Sequence, residues 1–125
     1  MNFKSLRRVL GTVVAVAVLV FSTVISAAPA MADVTVGMGT TGMLAFSPDA
    51  IMVSPGDTII FEMGQLGPHN IEFEGALASV SAKNLMFAPG ETAAVTIPAD
   101  TPAGTYNFYC DPHRGAGMVG TVTVQ

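Results

Sequence analysis

Apolar and polar residues alternate along several short stretches of this chain. Val34–Met38, Ala50–Val53, Thr58–Met63, Asn70–Phe73, Ala93–Ile97, Thr105–Tyr109 and Val119–Val124 are rich in Val, Ile, Thr and Phe, residue types that suit a pleated, half-buried surface. Pro55-Gly56-Asp57, Pro89-Gly90-Glu91 and Pro102-Ala103-Gly104 punctuate them, as Pro and Gly do at turns. Closely spaced short strands predict an all-β sandwich or barrel. The segment Gly75–Lys83 is Ala- and Ser-rich and is expected to hold at most one short helical turn.

The period of two also sorts side chains by face. Tyr106, Phe108 and Cys110 share one face, with Thr105, Asn107 and Tyr109 opposite. Met118, Gly120, Val122 and Val124 share a face, as do His69, Ile71 and Phe73. His69, Cys110 and Met118 thus fall on apolar faces at strand ends. If the Cys110 strand runs antiparallel to the other two, all three meet at one pole.

The first thirty-two residues follow a different pattern. Lys4, Arg7 and Arg8 precede an uncharged apolar run from Val9 to Ile25, and Ala30-Met31-Ala32 is a small-x-small cleavage motif. This is the layout of a secretory signal peptide. A retained anchor is the competing reading, but a span needs about 20 apolar residues and Thr12, Ser22 and Thr23 interrupt this run. Residues 1–32 are therefore expected to be cleaved, leaving residues 33–125 as one small domain with no stable membrane insertion. That domain has two basic residues, Lys83 and Arg114, against nine acidic ones, a balance of −7. Phosphate backbones are bound by basic patches, so nucleic acid is not an expected partner.

Export sharpens the chemistry. A single cysteine, Cys110, cannot make an internal disulfide, and a lone thiol in an oxidising compartment is a liability unless buried or occupied. It stands in Cys110-Asp111-Pro112-His113-Arg114-Gly115-Ala116-Gly117-Met118, and the chain's other histidine is His69. One Cys, two His and a weak axial Met are the donors of a blue-copper site. Each residue alone has a plainer role in packing or capping; the conjunction favours a metal. Zinc competes for Cys and His, but a thioether is a poor zinc ligand. A Cys110 nucleophile with His113 as base lacks an orienting residue and a cleft. Copper storage or delivery would favour clustered, exposed methionines. Met38, Met43, Met52, Met63 and Met86 are scattered instead and are expected to pack in the core.

The run from Pro98 to Gly120 closely resembles the plastocyanins, in particular their cyanobacterial members. Gly67-Pro68-His69-Asn70 is similar to that family's first histidine motif, and Ser54-Pro55-Gly56-Asp57-Thr58 and Gly42-Met43-Leu44-Ala45-Phe46 to weaker family segments. Pseudoazurins share the Cys-x2-His-x4-Met spacing; the flanking residues favour plastocyanin. The resemblance implies a Greek-key β-sandwich or barrel of the cupredoxin type, monomeric, carrying electrons rather than catalysing a reaction. It implies one copper ion, cycling between Cu(I) and Cu(II), held by His69, Cys110, His113 and Met118, with Asn70 bracing the cysteine loop. Gly42, Leu44, Pro68 and Ala116 would surround His113 as an apolar docking patch. Tyr109 would mark a lateral electron path and Arg114 a basic docking residue. Cytochrome f would be the donor and photosystem I the acceptor, in a thylakoid lumen or periplasm. A pseudoazurin-like donor to a periplasmic reductase or terminal oxidase is the alternative. Only Glu72 and Glu74 remain of the acidic clusters that plant members carry near the lateral tyrosine.

Overall fold

The computed structural model describes residues 31–125 together with Val20, Ser22 and Thr23. The leader expected over residues 1–32 lies, but for Val20, Ser22, Thr23, Met31 and Ala32, outside the described residues. Among the described residues no helix is long and apolar enough to cross a membrane.

The described residues form nine strands: β1 (Asp33–Met38), β2 (Phe46–Ser47), β3 (Ala50–Val53), β4 (Thr58–Met63), β5 (His69–Phe73), β6 (Ala82–Met86), β7 (Thr92–Thr96), β8 (Gly104–Tyr109) and β9 (Val119–Val124). They make two mixed sheets, ordered β2-β1-β4-β7 and β3-β9-β8-β5-β6. The pairs β1–β4 and β3–β9 are parallel and the remaining pairs antiparallel. The chain crosses repeatedly between the sheets, which makes this the all-β sandwich expected from the sequence.

Alternation explains the strands. In β4 the inward residues Ile59, Phe61 and Met63 are buried while Glu62 is exposed. In β9 Gly120, Val122 and Val124 point inward, with Val119 exposed. Between the sheets Phe108 packs against Phe46, Phe61 and Phe73, with ring centroids 4.8, 5.7 and 5.5 Å away. Each ring, fully buried, contributes about 1.5–3 kcal/mol of apolar transfer.

The structure departs from the sequence reading in four places. Strands β2 and β6 were not expected; the first is two residues long, and the second, Ala-Lys-Asn-Leu-Met, has no alternation. The helical turn falls on Gly75–Val80 as a 3-10 helix, and Ala82-Lys83 belong to β6. A second 3-10 turn, Arg114–Ala116, lies inside the cysteine loop. Met38, Met63 and Met86 pack in the core, but Met43 and Met52 do not: they are 66% and 64% exposed. Met43 sits on a loop, and Met52 points outward from β3, where Gln125 Nε2 approaches its sulfur.

Candidate metal centre

The site forms where three loops meet at one pole of the sandwich. β8 is antiparallel to both β5 and β9. His69 opens β5, Cys110 follows the end of β8, and Met118 precedes β9, so the condition set by strand direction is met. The loop between β8 and β9 is tied by its own backbone. Cys110 N–H donates to the Met118 carbonyl (3.1 Å), Met118 N–H to the His113 carbonyl (3.1 Å), and His113 N–H to the Cys110 carbonyl (3.2 Å).

This brings the side chains together. His69 Nδ1 and His113 Nδ1 are 3.1 Å apart, and Cys110 Sγ lies 3.6 Å from the first and 3.7 Å from the second. The point equidistant from these three atoms lies about 2.0 Å from each, close to the length of bonds from imidazole nitrogen or thiolate to a first-row transition metal. His69, Cys110 and Met118 are fully buried, and His113 is half-buried. Imidazoles that face each other through the same nitrogen can share at most one proton there. A cation satisfies all three lone pairs at once.

Electrostatics point the same way. Burial lowers the His69 pKa, helped by His113 and opposed by the Gln65 carbonyl; the ring is therefore held neutral, as a metal ligand must be. Burial raises the Cys110 thiol, and Asp111 adds to this, while backbone N–H groups of Asn70 and His113 pull it down. With protein groups alone the thiolate is disfavoured. A metal ion among the three donors reverses that balance.

Two supports orient the donors. His69 Nε2 lies 3.1 Å from the Gln65 carbonyl oxygen. With the proton on Nε2, the ring donates it to that carbonyl and keeps Nδ1 bare, a common arrangement for a ligating histidine. Asn70 is buried beside it. Its amide donates to the Lys83 carbonyl (3.1 Å), and its side-chain oxygen accepts from Asp111 N–H (2.8 Å). The register between β5 and β6 shifts between His69 and Ile71, an irregularity of the kind that re-aims a side chain beside a site. There Asn70 reaches both β6 and the cysteine loop.

The surface residues fall on the loops around this pole or beside it. Leu44 and Pro68 are half-buried, and Gly42 and Ala116 exposed. Exposed Met43 and Leu66 neighbour Leu44 and Pro68 in the chain and enlarge the apolar surface. Arg114 is not a free cation. It forms a 3.0 Å ion pair with Glu74, and its guanidinium stacks 3.9 Å from the centre of the Tyr109 ring. Tyr109 faces Glu72 across the β5–β8 pair and borders a groove of about 480 Å³ shared with Asp49, Glu74, Asn107 and Arg114. Sequence reasoning missed Gln65, because a backbone carbonyl leaves no trace in residue type. It also missed the Glu74–Arg114 pairing, which spans forty residues.

Comparison with known proteins agrees with this geometry. Residues 32–125 match the model for copper binding proteins of the plastocyanin/azurin family. The chain is 46% identical to plastocyanin from Prochlorothrix hollandica over 98% of both chains. It is 42% identical to plastocyanin from Nostoc punctiforme, covering 97% of this chain and 95% of that one. A solved structure of a mutant fern plastocyanin superposes with a TM-score of 0.62 at 33% identity, over 73% of this chain and 99% of the other.

Proposed function

Since the chain belongs to the plastocyanin/azurin family of copper-binding proteins, and so is a blue-copper electron carrier rather than an enzyme, we propose that it serves photosynthetic electron transport, from cytochrome f to photosystem I. His69, Cys110 and His113 would hold the metal through Nδ1, Sγ and Nδ1, and Met118 would add a weaker thioether donor. The observation that carries this is the convergence of the first three donors within 4.8 Å, with Met118 buried and bonded through its backbone to both Cys110 and His113. One thiolate, two imidazoles and a thioether suit copper better than zinc or a hard cation. Bound there, copper supplies a one-electron Cu(II)/Cu(I) couple.

The chain's own part is to hold and to screen. The β8–β9 loop and the Gln65 carbonyl fix the donors, so little has to move between oxidation states. The buried His69, Cys110 and Met118 exclude water on the inner side. His113, half-buried, is the edge nearest solvent and the exit for the electron, within the apolar surface of Gly42, Leu44, Pro68 and Ala116. Tyr109, next to Cys110 and stacked under Arg114, offers the lateral route. We assign residues 1–32 to an export leader and residues 33–125 to a monomeric working domain of the thylakoid lumen or periplasm.

The test is optical. Wild-type chain given Cu(II) should show an intense thiolate-to-copper charge-transfer band in the visible, and Cys110→Ser should abolish it. A colourless wild-type complex would overturn the copper reading. For the partner, photo-oxidised photosystem I should be reduced by the cuprous chain, and Arg114→Gln should change both the rate and its dependence on salt. A rate with unaltered salt dependence removes Arg114 from docking. A blue chain that leaves photosystem I oxidised serves another acceptor, such as a terminal oxidase or periplasmic reductase.

A further inference from the structure

Gly39 follows β1 with φ +69°. Its backbone is tied to the loop before His69: Gln65 N–H donates to the Gly39 carbonyl (3.2 Å), and Gly64 N–H to the Met38 carbonyl (2.8 Å). A Cβ on residue 39 would overlap the Gln65 carbonyl oxygen and stand 3.0 Å from His69 Nε2. The space left by the missing side chain is therefore the space in which the Gln65 carbonyl meets the imidazole.

We propose that Gly39 is a positioning residue of the metal centre: its lack of a side chain lets the Gln65 carbonyl accept a hydrogen bond from the Nε2–H of His69, which keeps Nδ1 bare and aimed at Cys110 and His113. The inference rests on reading His69 as a ligand and deepens it, because it names what holds the tautomer. A methyl group at this position drives the Gln65 oxygen away. The Nε2 proton then loses its acceptor, the ring is free to rotate, and either nitrogen can carry the proton. Neutral imidazole makes the tautomer a matter of its hydrogen bonds, and the loss of one such partner typically weakens metal affinity about 10–100-fold.

A control lies on the turn before β7. Gly90 also has positive φ, +88°, so alanine there carries comparable backbone strain. Its Cβ, however, would meet nothing within 4 Å. Gly39→Ala and Gly90→Ala thus separate the cost of the conformation from the collision with Gln65.

The experiment uses the full chain, metal-free and then in the cuprous state, with long-range 1H–15N NMR of the histidine ring nitrogens and the reduction potential of the copper form. In wild type and Gly90→Ala, His69 should show one sharp Nε2 proton, slow to exchange with water, and one common potential. In Gly39→Ala that proton should exchange at least about tenfold faster, as an imidazole without its partner does, and the potential should differ from both. Gly39→Ala spectra and potential matching those of Gly90→Ala overturn the inference. Should Gly39→Ala not fold, wild type decides. An Nε2 proton that exchanges in step with the Gly39 and Gln65 amides supports the inference, and one that exchanges freely while they stay protected overturns it. Failure of the copper reading is seen separately, as a wild-type chain with no visible band.

Discussion

Asn70 shows how much of this site rests on a single side chain. It is a ligand's neighbour, yet it joins three segments: its own strand, the Lys83 carbonyl of β6 and the Asp111 amide of the cysteine loop. Truncation leaves a carbonyl and an N–H without partners, and an unsatisfied buried group costs about 1–3 kcal/mol. Asn70→Ala should therefore lower stability in chemical denaturation by an amount of that order, and it should release copper to a chelator faster than wild type. Unchanged retention would show that the cysteine loop holds its own shape. Arg114 illustrates the reverse case. As the lone cation near the cysteine loop it reads as a free docking charge. The structure pairs it with Glu74 and lays it on Tyr109, so a partner that engages it meets a charge already half-screened. Exposed pairs of this kind are worth about 0–1 kcal/mol, weak enough for a partner's carboxylate to compete with Glu74.

Among the elements, β8 links the core to the site. Phe108 is its buried centre, in contact with Phe46, Phe61 and Phe73, and Cys110 continues the same inward face. Phe108→Ala should cost about 3–5 kcal/mol in denaturant titrations, the usual loss for a buried aromatic ring; a cost near zero would mean the sheets close over the gap. Strands like β8 were legible because one face is oily and the other wet, and the positions of His69, Cys110 and Met118 followed from that alternation. β6 escaped because burial does not organise it: Lys83, Asn84 and Leu85 are all exposed. It is a strand because β5 offers it hydrogen bonds, and such partners are invisible in a local window. β2 escaped for want of length. Met43 and Met52 have a related cause, since hydrophobicity alone does not tell an inward strand position from an outward one or from a loop. The ligands were legible as residue types; Gln65 and Gly39 were not, one acting through a carbonyl and the other through an absence.

At the scale of the whole molecule, stability should depend on acid through Asp57. This carboxylate accepts N–H bonds from Ala32 (3.0 Å) and Ser54 (2.8 Å), which hold its pKa below the ordinary carboxylate value. A group whose folded pKa is depressed stabilises the fold above its unfolded pKa, and that contribution is lost as pH falls through the folded pKa. Asp57→Asn should thus weaken the chain at pH 7 and narrow its gap to wild type in strong acid, as read from denaturation midpoints across pH. A gap independent of pH would remove Asp57 from the acid response. The proposed cleavage after Ala32 would bear on the same residue, since it would take away one of the two donors; a chain shortened to Asp33–Gln125 should show the smaller acid effect. The sheet order has a consequence of another kind. β9 lies between β3 and β8, and every donor but His69 belongs to the segment from Cys110 onward. That segment leaves the ribosome after His69 and the strand that carries it. The cage therefore cannot close on an ion until β9 has been made and has docked, and the ion it takes would come from the compartment in which that docking happens.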